Sequence, residues 1–148
     1  MLKKVLLWFL AFLFLIQLIK IDIVKPKTID SKAEIKTSKK IMSILKTSCY
    51  DCHSYETKMP WYGNIAPISW EVRGHINDAR KWLNFQEWET YDESKKQKLY
   101  KSIYTSINFS MPIPAYVSLH KDAELTKEQR EIIKKWVLSY IKNRDDIF

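Results

Sequence analysis

Two cysteines three residues apart, with a histidine directly after them, make Cys49-Tyr50-Asp51-Cys52-His53 the stretch of this chain whose residue types and spacing specify a chemistry. That spacing is the one that attaches a c-type haem. On a turn of helix, residues three apart share a face, so Cys49 and Cys52 can both reach the vinyl groups of one porphyrin and form thioethers. His53 follows four residues after Cys49, where its imidazole can meet the iron. Two other chemistries use the same residue types. A thioredoxin-like disulfide belongs beside a βαβ pattern, and none is visible here. Zinc needs four ligands, and beyond the two cysteines the chain offers only the scattered His53, His75 and His120. The expected cofactor is therefore one covalent haem c with its iron.

A second axial ligand has to come from elsewhere in the chain. Met111-Pro112-Ile113-Pro114 is a loop that two prolines stiffen, and proline biases the residue before it toward an extended backbone. Such a loop can hold a thioether in place, so Met111 is the expected sixth ligand, with His120 its rival. His75 reads as a surface or core-edge histidine, and Met42 as core filler. Met59 follows His53 too closely to reach the opposite face. With His53 and Met111 both bound, the iron has no place for a substrate, and the expected function is single-electron transfer to redox partner proteins rather than catalysis. A Met/His pair raises the reduction potential. The alternative is a haem peroxidase or a gas or redox sensor with an open sixth position, in which His75 could act as a distal acid–base group. The loop from Met59 to Pro67 carries aromatics expected to shield the ring (Trp61, Tyr62, with Trp70 beyond). A carbonyl near Ala66 or Pro67 could accept the Nδ1 proton of His53.

Positioning these groups falls to helices. With 148 residues there is room for one domain and an appendage, and two glycines are too few for a fold of many tight turns. A short amphipathic helix from Ser38 carries Ile41, Met42, Ile44 and Leu45 into Cys49. A second, Ser69 to Leu83, turns Trp70, Ile76, Ala79 and Leu83 inward and leaves Arg73, Asn77 and Arg80 more exposed. A third follows a cap at Asp92 or Ser94, with Leu99, Tyr100, Ile103, Tyr104 and Ile107 at helical spacing. The last starts at Thr126 with Gln129 completing a capping box, and buries Ile132, Ile133, Trp136, Val137, Tyr140 and Ile141. The net charge of +8 comes mostly from lysines between Lys3 and Lys46, and from Cys49 onward the charges nearly balance. No basic stripe is interleaved with aromatics, so no nucleic-acid footprint is present.

Ahead of these helices, an apolar run from Val5 to Ile19 is flanked by Lys3, Lys4 and Lys20. As a helix it rises about 22 Å against a hydrocarbon core of about 30 Å, with lysines able to snorkel at both ends. Small residues for cleavage are missing just downstream, so an uncleaved anchor is expected rather than a cleaved signal. The expected organisation is a membrane-anchor helix over residues 1–24, a lysine-rich linker over 25–39 and a helical haem domain over 40–148. Because haems of this kind are attached outside the cytoplasmic membrane, the expected location is the cell inner membrane, single-pass, with the haem domain facing the periplasm.

The order of helix, Cys-x-x-Cys-His, helices, Met111-Pro112 loop and amphipathic C-terminal helix resembles a class I cytochrome c. More narrowly, Pro60-Trp61-Tyr62, Asn64-Ile65-Ala66-Pro67, Leu83-Asn84-Phe85-x-x-Trp88 and Met111-Pro112-x-Pro114-x-Tyr116-x-x-x-His120 resemble the small bacterial haem-binding-domain family of cytochrome c-like proteins, over about residues 40 to 142. Members more often carry Trp where Met59 stands and Ser where Gly63 stands. The resemblance implies covalent haem c, an all-α cytochrome c-like fold and an extracytoplasmic location.

Overall fold

The computed structural model describes residues 1–142, and among them lie seven α-helices, four short 3-10 turns and no strand. The helices are α1 (Leu2–Ile16), α2 (Lys39–Ser48), α3 (Tyr50–His53), α4 (Ile68–Trp82), α5 (Glu93–Phe109), α6 (Pro114–Leu119) and α7 (Lys127–Leu138). The all-α expectation is met. Residues 143–148, the end of the expected domain, lie outside the described residues.

Side-chain caps start three of these helices where the sequence puts them. Ser38 Oγ accepts from Ile41 N, Asp92 Oδ1 from Lys95 N at 2.7 Å, and Thr126 with Gln129 closes a reciprocal capping box. Each satisfies amide donors that a helix start leaves without partners. Between α4 and α5, Asn84 Oδ1 accepts from Gln86 N and opens the 3-10 turn Phe85–Thr90.

That turn is the middle of the core. Phe85, 2% exposed, stacks on Tyr50 with ring centroids 5.6 Å apart and packs against Trp88 at 6.4 Å. Trp88 in turn meets Tyr100 edge-to-face at 4.9 Å, and Tyr100 stacks on Tyr140. Leu99, Ile103 and Ile107 of α5 face Ile133, Trp136 and Val137 of α7 in the same cluster. Burying one such side chain is worth about 1.5–3 kcal/mol, so this aromatic and aliphatic column dominates the stability of the helical domain. Ile141 is buried beyond the end of α7, while Tyr140, expected on the buried stripe, is half exposed and uses one ring face.

The N-terminal third departs from expectation. The location in the inner membrane through a single-pass anchor is overturned: α1 has 15 residues, and no helix among the described residues is long and apolar enough to cross a membrane. Just past its end, Gln17 Nε2 donates to Leu13 O and Ala66 O, and Gln17 Oε1 accepts from Ala66 N. From there the backbone runs along one face of α4. Trp70 Nε1 donates to Ile19 O, Arg73 to Ile21 O, Asn77 Nδ2 to Asp22 O and Arg80 to Val24 O. Donors at positions 70, 73, 77 and 80 share a helix face, so α4 reads this strap by its carbonyls. Within the stretch expected to be a linker, Ile35 is 3% exposed, its N–H donates to Phe85 O, and Glu34 accepts from Tyr50 Oη.

Candidate functional site

The Cys49–His53 stretch is a single helical turn placed against the core. Cys49 O accepts from His53 N at 2.9 Å and from Cys52 N at 3.2 Å. Tyr50, on the inner side of the turn, anchors it through its stack on Phe85. Bonds after the turn hold it closed: Ser54 Oγ donates to Tyr50 O, Thr57 Oγ1 to Asp51 O, and Lys58 N to Asp51 Oδ1.

Beside this turn opens a cavity of about 150 Å³. Its walls are apolar: Leu45 of α2, Ala79, Trp82 and Leu83 from α4 and its end, Phe85, and Ile103 and Ile107 of α5. Cys49, Cys52 and His53 line it from one side, and Met111, Pro112, Ile113 and Tyr116 contribute from the loop and α6. The structure thus brings together Cys49, Cys52, His53 and Met111 around one space. His75 also lines it, on the same α4 face as Ala79 and Leu83, with its Nε2 3.0 Å from Glu71 Oε1.

Both cysteines are free thiols. Burial pushes the Cys49 thiol up to about 12, with Cys52 adding to it. Cys52 is pushed up to about 11 by burial and by Asp51, and the Arg80 cation pulls it back. Thiols held this way stay protonated and are not poised for disulfide exchange. Among the described residues no group of three or more His, Cys, Asp or Glu gathers around a common point for an ion.

His53 Nδ1 lies 3.0 Å from the carbonyl oxygen of Leu83. A carbonyl can only accept, so the imidazole carries its proton on Nδ1 and its lone pair on Nε2. Burial pulls the His53 pKa down, against the Leu83 and Ala79 carbonyls, which favours this neutral form. The expected acceptor near Ala66 or Pro67 is therefore wrong. Ala66 O is taken by Gln17, and it is the end of α4 that packs on α3.

Other expectations also move. His120 does not line the cavity: its Nε2 is 2.8 Å from Tyr62 Oη, and its ring stacks on Tyr116 at 4.4 Å. Trp61, Tyr62 and Trp70 do not line it either. Trp61 is 77% exposed and Trp70 clasps the N-terminal strap, so Trp82, Phe85 and aliphatic side chains provide the walls. Arg80, placed on an exposed face from sequence, is 6% exposed.

Several supporting residues escaped the sequence reading. Tyr116 Oη donates to Asp51 Oδ2 at 2.5 Å, tying α6 to the Cys49–His53 turn between two residues that line the cavity. Arg130 of α7 donates to Ile107 O and, at 3.0 Å, to Met111 O, bracing the loop that carries Met111. Neither pairing has a local signal, because 65 and 19 residues separate the partners. Met59 also has a place: its Sδ occupies the space that a Cβ on Gly63 would need.

No curated protein and no solved structure matches the chain. Residues 11–139, from within α1 to just past the end of α7, match the model of the haem-binding domain, and the chain belongs to that family of haem proteins.

Proposed function

We propose that the cavity would hold one haem c, with Cys49 and Cys52 to attach it and His53 and Met111 to ligate its iron, and that the protein carries single electrons between redox partner proteins. The observation that carries this reading is the meeting of four side chains from two distant parts of the chain around one apolar cavity. The residues fit the group: two free thiols sit on one helical turn, and the Nδ1 of His53 is already engaged by a carbonyl. When bound, the haem supplies a one-electron Fe(III)/Fe(II) couple.

The chain's own residues tune that couple. Leu83 O fixes the orientation of His53 and keeps the lone pair on Nε2. The apolar walls exclude water and lower the local dielectric, which disfavours the more highly charged oxidised form. A thioether from Met111 favours the reduced state. The Tyr116–Asp51 and Arg130–Met111 bonds hold the two sides of the cavity in register, so that little has to move when an electron arrives.

A second reading rests on His75. Its imidazole lines the same cavity beside Glu71. With Met111 off the iron, His75 could serve as the acid–base group of a haem enzyme or a gas sensor.

Absorption spectra and intact mass of protein matured with haem-attachment machinery separate these readings. Electron carriage requires a mass increase of one haem that survives denaturation, a weak red band in the oxidised protein and no carbon monoxide adduct. Colourless protein, or haem released on denaturation, sinks the attachment scheme. Carbon monoxide binding or rapid peroxide turnover favours the second reading.

A further inference from the structure

Arg80 is a buried cation whose hydrogen-bond partners are all neutral. Its Nε donates to Ser54 O at 2.7 Å, its Nη2 to Thr57 Oγ1 at 2.6 Å and its Nη1 to Val24 O at 2.8 Å. The guanidinium lies 5.2 Å from the centroid of the Tyr55 ring. Among the described residues no carboxylate is hydrogen-bonded to it. Burial pulls its pKa down, and Tyr55 and Cys52 act against that pull. Burying a charge without a counter-charge is costly, which marks Arg80 as a candidate for a role beyond packing.

Its position indicates that role. Ser54 directly follows His53, and Thr57, the second acceptor, donates onward to the carbonyl of Asp51, which stands between the two cysteines. The cation sits beside the attachment turn, since its Nε donates to the carbonyl of the residue that follows His53 and its Nη2 to Thr57 Oγ1. A redox centre held there becomes one unit more negative when it accepts an electron. A fixed positive charge in a medium of low dielectric stabilises that reduced form far more than the same charge would in water. Three hydrogen bonds in a rigid fork hold the cation still, which a lysine ammonium does less well.

We infer that Arg80 is a positioning residue for the haem site: it pins the backbone on both sides of His53, and its fixed charge raises the reduction potential. The inference rests on the haem reading above. Val24 contributes one of the three seats, so the N-terminal strap is part of the device.

The test is a redox titration of full-length holoprotein carrying Arg80→Gln or Arg80→Lys, with backbone amide exchange over residues 54–58 as a second readout. Arg80→Gln should shift the potential downward with the axial-ligand spectrum unchanged. Arg80→Lys, which keeps the charge but not the fork, should stay near wild type in potential while the amides of residues 54–58 exchange faster. A wild-type potential in Arg80→Gln, or a fall in Arg80→Lys as large as in Arg80→Gln, overturns the charge role. Where Arg80→Gln does not accumulate, Arg80→Met, an apolar side chain of similar length, takes its place. A potential below wild type in that variant supports the inference, and a wild-type potential overturns it. Failure of the haem reading itself shows separately, as wild-type protein without covalent haem.

Discussion

The imidazole of His53 and the carbonyl of Leu83, 3.0 Å apart, join the Cys49–His53 turn to the end of α4. α4 stops at Trp82, and Leu83 has an extended backbone, so its carbonyl is free of the helical ladder. The same residue is 5% exposed and its side chain lines the cavity, so one position orients the histidine and walls the site. Leu83→Ala should therefore destabilise the protein by about 2–5 kcal/mol, the usual cost of a buried leucine truncation. Urea unfolding measures it. A loss under 1 kcal/mol would show that Leu83 is not packed as described.

Met111→Ala removes the thioether from the cavity while leaving the carbonyl that Arg130 holds. In the reduced protein carbon monoxide should then bind, the weak red band of the oxidised protein should vanish, and the potential should fall. An unchanged spectrum would take Met111 off the iron and leave His75, which lines the same cavity, as the next candidate. His120 is committed to Tyr62.

Tyr116→Phe deletes the hydroxyl that reaches Asp51, another residue lining the cavity. A hydrogen bond to a charged partner is worth about 1.5–3 kcal/mol, and this one is partly buried. The expected result is a stability loss at or below that range, together with faster carbon monoxide entry in a Met111→Ala background. Equal entry rates with and without the hydroxyl would mean that the bond does not close the site.

Gly63→Ser places a Cβ where Met59 Sδ now lies. Met59 must turn to another rotamer, a small cost because its side chain is flexible. Adding Met59→Ala should remove that penalty, so a double-mutant cycle should show coupling. Strict additivity of the two changes would refute the contact.

Thr126→Ala opens the capping box of α7, and about 1 kcal/mol of stability should go with it. Thermal unfolding of the two proteins at one protein concentration checks this; an unchanged midpoint would mean that packing of α7 on α5 alone sets its start.

What the sequence determined by itself was local. The Cys-x-x-Cys-His spacing defines one helical turn, the apolar periodicity of α5 and α7 defines their inner faces, and Thr126 defines where α7 begins, while for α5 the sequence left Asp92 and Ser94 and the structure uses Asp92. Each of these depends on residues within a turn or two of one another, where backbone geometry leaves few choices. The tertiary structure decided whatever depends on distant partners. It chose Leu83 rather than Ala66 or Pro67 for His53, and it paired the side chain of Gln17 with the backbone of Ala66. It also buried Arg80, whose charge argued for solvent, because three oxygens from Val24, Ser54 and Thr57 converge on it. A polar side chain reads as exposed until its partners are known, and those partners lie 56, 26 and 23 residues away.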